Sequence, residues 1–199
     1  MSIEPSLVKK LREISGAGVM DCKRALEETQ GDIEKAVLVL RERGISIAQK
    51  KSSHLTNEGV IDAYVHQGGR IGVLVEVNCE TDFVARNEEF RAFVHDLALH
   101  IAASNPLFVS CQDVPDSLLS QEKEIYRKQA LSEGKKENVV EKIVEGKTEK
   151  FYEEICLLDQ PFIRDPEKTV GQLLIEMIAR MGENIEIRRF TRYQLGESV

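Results

Sequence analysis

The sequence has no run near the ~18 consecutive apolar residues that a membrane span requires, although 42% of its 199 residues are hydrophobic. No membrane partner is expected. It has no Gly-x-x-x-x-Gly-Lys loop, so the chain is not expected to bind nucleotide itself. It is short of basic residues: 27 Lys and Arg stand against 34 Asp and Glu, a net charge of −7. A nucleic-acid partner is argued against, because such proteins present a basic face. Its four cysteines, Cys22, Cys79, Cys111 and Cys156, are far apart, and no pair has metal-ligand spacing. They are expected to be free, buried thiols of a reducing compartment. With no secretory leader recognised, a cytoplasmic location is expected. Two of the four histidines, His95 and His100, are five positions apart, the wrong separation for a shared metal on one helix face. No local signature supports a Cys/His nucleophile pair. The acids sit on predicted helix surfaces, where a solvated face accounts for them. The expectations are therefore no catalytic residue, no metal, no cofactor and no enzyme activity.

What the chain does have is length enough for one domain and a smaller one. Its charge is uneven. Residues 1–53 hold ten Lys and Arg against eight acids, which leaves about −9 for the rest. The small excess is too weak to imply RNA but suits docking on an acidic protein surface.

Three short helices are predicted within residues 5–44. Pro5 suits a first helical position, and Leu7, Leu11 and Ile14 recur at helical spacing. Residues 15–18, Ser-Gly-Ala-Gly, break the pattern. It resumes over Val19 to Thr29, with Met20, Cys22 and Leu26 expected in the core. Gly31 ends that helix and Asp32 caps the next, whose apolar stripe is Ile33, Ala36, Val37 and Leu40. Gly44 is read as its end, and Gln49 to Ser53 as a linker. So small a module is marginal alone and is expected to dock on something.

From Asn57 the period changes to that of strands. Residues 59–79 read as a hairpin turning at 66–70. A helix follows from near Asn87 to before Pro106, carrying Phe90, Val94, Leu97 and Ile101. Residues 116–158 are predicted to form two charged helices, with Asp116 and Asn138 as their caps, Gly134 between them and Gly146 a possible interruption. Pro161 and Pro166 mark a loop. Residues 169–172, Thr-Val-Gly-Gln, form a capping-box pattern, and Asn184–Tyr193 alternates as a late strand. The fold class expected is α+β: a three-helix module at 1–52, then a core at 53–199 with a three-stranded antiparallel sheet packed by helices. Such a sheet leaves an edge and an open face, so a homodimer is expected.

The most informative stretch is Glu76 through Arg86. A strand-like run ends there in Asp82-Phe83, and a helix follows. Phe83 at such a corner can project instead of packing inward, which reads as a tool for contacting another protein. The plain alternatives are a hydrophobic staple for Phe83 and an ordinary helix cap for Asp82.

Two long segments, Leu11 through Leu26 and Glu76 through Arg86 around Thr-Asp-Phe-Val, resemble the signatures of bacterial elongation factor Ts. Residues 146–162, 168–173 and 182–185 are similar to that family as well, in the same order along the chain. The resemblance implies a guanine-nucleotide exchange factor for elongation factor Tu, of the short form, with a ubiquitin-associated-type N-terminal module. It implies that Thr81, Asp82, Phe83 and Val84 disturb the partner's magnesium site. Arg12, Met20, Lys23 and Arg24, in the first signature, are candidates for docking; core packing for Met20 and a solvated helix face for the three cations are the alternatives. The other overall reading is a dimeric interaction scaffold without exchange activity.

Overall fold

The structure, a computed structural model, describes residues Ile3–Glu197. Helix α1 spans Pro5–Ser15, with Pro5 in its first turn and Gly16 in the left-handed conformation at its end. Helix α2 is Val19–Glu28 and α3 is Ile33–Lys51, with the Asp32 carboxylate accepting the Lys35 N–H as cap. Leu11, Cys22, Ala25, Leu26 and Ala36 are fully buried at their centre, ringed by Leu7, Ile33, Val37 and Leu40. Met20, expected in the core, is 62% exposed. Cys22, Ala25 and Leu26 set the inward face of α2, and Met20, two positions or about 200° from Cys22, falls on the other side.

Helix α3 is longer than its sequence suggests. Gly44 is buried in mid-helix, and the expected linker at 49–53 begins as the last turn of α3. Gly44 is there for space, not for termination. A Cβ at this position would lie 3.6 Å from the Ala179 methyl and 3.7 Å from Ile175 Cγ2.

Strands β1 (Glu58–Val65) and β2 (Ile71–Cys79) form the predicted hairpin, closed where the His66 N–H donates to the Ile71 carbonyl at 2.9 Å. The last strand, β5 (Ile185–Gln194), completes an antiparallel sheet of order β1-β2-β5. Val73, Val75, Val77, Ile185 and Ile187 are buried on the face covered by helices. The alternate residues Ile61, Val65 and Leu74 are exposed.

Between β2 and β5 come α4 (Asp82–Ala85), α5 (Glu88–Ser104), α6 (Asp116–Ser132), α7 (Glu137–Ile155), β3 (Pro161–Phe162), β4 (Asp165–Thr169) and α8 (Val170–Met181). Phe90, Val94, Leu97 and Ile101 of α5 are all fully buried, as their spacing predicts, and Asn87 caps the helix by accepting the Glu89 N–H. Gly134 separates α6 from α7, but the cap positions hold Pro115 and Lys136, one and two residues before those expected. Gly146 does not interrupt α7. The loop expected at Pro161–Pro166 is a small antiparallel hairpin, β3 with β4. Proline is tolerated there because each strand of a two-stranded ribbon is an edge. The capping box at the start of α8 is present: Thr169 and Gln172 exchange side-chain and backbone hydrogen bonds, both 3.2 Å.

The chain divides into two compact units, each discontinuous in sequence. One holds Met1–Val60, Val77–Ala92 and Leu173–Glu186; the other holds Ile61–Glu76, Phe93–Gln172 and Ile187–Val199. No helix among the described residues is long and apolar enough to cross a membrane.

Candidate functional site

The corner after β2 is built from its buried side outward. Cys79 is fully buried, and its thiol donates to the Thr81 carbonyl at 3.2 Å. Burial, with the nearby Glu183 charge as a second cause, pushes that thiol up to about 11. The chain then extends through Thr81, whose side-chain oxygen accepts the Val84 N–H at 3.4 Å and opens the single turn of α4. Successive residues of a helix are 100° apart, so one turn has an inner and an outer pair. Val84 and Ala85 are buried. Asp82 and Phe83 point out, Phe83 with 78% of its surface exposed.

Two sequence alternatives are settled by this geometry. A hydrophobic staple would bury Phe83, and it is not buried. The cap of α4 is Thr81, not Asp82. Asp82 is the first helical residue, and its carboxylate pairs with Arg86 at 2.9 Å, both side chains more than half exposed. An exposed pair of this kind contributes little to stability, which leaves Asp82 available to a partner.

The corner is held by residues more than a hundred positions away. The Glu183 carboxylate accepts the Thr81 hydroxyl at 2.6 Å and the Thr81 N–H at 3.0 Å. The Glu80 carboxylate accepts the Asn184 N–H at 2.6 Å, lies 3.0 Å from His54 Nδ1, and pairs with Lys51 at 3.5 Å. The Asn184 N–H, then His54, hold Glu80 below the usual carboxylate value, so it stays ionised. Asn184 also donates from its side chain to the His54 carbonyl at 2.9 Å. Sequence reasoning did not single out Glu80, Glu183, Asn184, His54 or Lys51. The family-like residues 182–185 were the available signal, but nothing in a linear pattern joins Glu183 to Thr81.

The N-terminal candidates Arg12, Met20, Lys23 and Arg24 are all exposed. Arg12 and Lys23 share a shallow groove with Ile3, Pro5, Val8, Lys9 and Val19. Met20 and Arg24 stand outside it, Arg24 paired with Asp21 at 2.7 Å. Both groups of candidates belong to the same compact unit. Among the described residues no cluster of three or more His, Cys, Asp or Glu could hold a metal ion. What the site offers chemically is an anchored, outward-facing aromatic beside an available carboxylate.

The Elongation factor TS family model matches residues 7–197. The chain is 60% identical over 199 residues to an elongation factor Ts of Alkaliphilus oremlandii, covering all of this chain and 92% of that protein. It is 61% identical over 197 residues to one of Caldanaerobacter subterraneus, covering 99% and 98%. A Geobacter sulfurreducens elongation factor Ts is 56% identical over 199 residues, covering 100% and 92%. On this agreement along its length, the chain belongs to the elongation factor Ts family, and its role is that of an elongation factor in protein biosynthesis.

Proposed function

We propose that this protein is a guanine-nucleotide exchange factor for elongation factor Tu, releasing GDP by disturbing the partner's magnesium and phosphate site. The observation that carries the reading is Phe83, 78% exposed on a one-turn helix whose start is pinned by Glu183. Leaving a large aromatic in water on an anchored corner makes sense where a partner buries it. Burying one Phe stabilises a complex by about 1.5–3 kcal/mol. A hundredfold weakening of GDP needs about 2.7 kcal/mol of coupling, and the coupling is reciprocal: GDP must weaken the factor equally. One wedge therefore reaches that requirement only at its upper limit. The N-terminal module, residues 1–52, supplies docking through Arg12, Met20, Lys23 and Arg24. In the core, residues 53–199, Thr81, Asp82, Phe83 and Val84 act on the partner's metal site.

The protein works in the cytoplasm, without direct nucleic-acid contact, and as a homodimer. Exposed Ile61, Val65 and Leu74 on the open side of the sheet support the dimer, since such faces are commonly covered. A monomer by sedimentation at micromolar concentration would remove that part.

The test is release of labelled GDP from elongation factor Tu by catalytic amounts of this protein. Phe83→Ala is expected to slow release at least roughly tenfold. Its folding stability should stay within about 0.5 kcal/mol, because the ring touches little in the free protein. Equal acceleration by that variant removes Phe83 from the mechanism. No acceleration by the unmodified protein overturns the exchange reading and favours the interaction scaffold.

A further inference from the structure

Thr81 is exposed and extended; the Cys79 thiol holds its carbonyl, but its N–H and hydroxyl proton take their acceptor from outside its own segment. Glu183 provides it. Two donors of one residue, the N–H and the hydroxyl, meet the two oxygens of one carboxylate. Such a pair of charge-assisted hydrogen bonds fixes rotation as well as position. With its proton directed at Glu183, the Thr81 hydroxyl oxygen has lone pairs left to accept the Val84 N–H. That bond starts α4 and sets Phe83 on the outer side. Glu80 repeats the clasp in reverse on the Asn184 N–H, so residues 80–81 and 183–184 are cross-linked through two carboxylates. A lone helical turn has no cooperative stability of its own. Its 3.4 Å cap bond is long for a hydrogen bond, so α4 depends on the clasp.

We infer that Glu183 is a positioning residue for nucleotide exchange, acting through Thr81 to hold Phe83 outward in the orientation that engages the partner. The inference rests on the exchange reading above. Without the clasp, Phe83 samples many orientations, and each productive complex must first order it.

The experiment uses the full chain and elongation factor Tu loaded with labelled GDP, with the maximal release rate and the half-saturating concentration measured separately. Glu183→Ala is expected to lower the maximal rate roughly tenfold. The half-saturating concentration should move less than about twofold, because the other docking surfaces are intact. Glu183→Gln keeps an oxygen acceptor for one of the two donors and should fall between. Amide exchange at Thr81 and Val84 should quicken in both. Because Glu183 acts through Phe83, the double variant Glu183→Ala with Phe83→Ala should be no slower than Phe83→Ala alone.

Multiplying losses in the double variant, or a raised half-saturating concentration at an unchanged maximal rate, overturn the proposal. So does quickened amide exchange with unchanged release, which leaves the exchange reading standing. Unchanged release in Phe83→Ala removes the reading of the corner and this proposal together. Thermal unfolding shows whether Glu183→Ala is folded; if it is not, the milder Glu183→Gln decides by the same criteria.

Discussion

Gly44 offers the sharpest test of how the N-terminal helices are held. It lies in the middle of a 19-residue helix, where glycine costs about 1 kcal/mol relative to alanine. A first added carbon meets Ala179 and Ile175 at 3.6 and 3.7 Å, ordinary van der Waals contact. Ile175 and Ala179 are four apart on α8 and form one ridge. Gly44→Ala should therefore be accommodated and should recover most of the propensity term, raising Tm by about 1–4 °C for a chain of this size. Gly44→Val adds two methyls where the first carbon already touches. Overpacking of that kind costs about 1–3 kcal/mol, a Tm fall of about 2–12 °C. Scanning calorimetry on the three proteins distinguishes the outcomes. A Tm lowered by Gly44→Ala would mean that the helices approach more closely than described. A Tm unchanged by Gly44→Val would mean that α3 does not rest on α8 at Gly44 at all.

His100 should make stability fall as pH drops below 6.5. It is fully buried, its Nδ1 accepts the Ile163 N–H at 3.2 Å, and its Nε2 lies 3.0 Å from Gln160 Oε1. Burial lowers its pKa, against a smaller opposing effect of Gln160. The unfolded chain then takes up a proton that the folded chain refuses, so the stability is present above 6.5 and lost on going lower. His100→Asn, which keeps an acceptor but does not titrate, should flatten the fall in urea midpoint between about pH 7 and pH 5.5; an unchanged slope refutes the assignment. Cys79 and Cys156, buried and pushed up to about 11 and about 12, should resist iodoacetamide in the native protein near pH 8 and react once urea is added. Alkylation of either at equal rates in both states contradicts their burial.

Much of the fold was legible because its signals are local. The periods of α1, α2 and α5, the hairpin turn at 66–70 and the capping box at Thr169 each depend on residues a few positions apart. Gly44 misled because a glycine that ends a helix and one that lets two helices approach look the same in a linear chain. The hairpin at 161–169 was hidden because its prolines read as loop signals, although an edge strand accepts them.

The sequence by itself determined the family, the helical and extended segments and the place of Phe83 at a corner, since these rest on motifs and periodicities contained in short stretches. The tertiary structure alone decided which way that corner faces. Phe83 is exposed and not stapled inward, on a turn capped by Thr81, not Asp82, and that Thr81 meets Glu183, 102 residues away. A hydrogen bond across that separation follows from where β5 lies beside β2, and pairing between distant strands is a property of the folded chain.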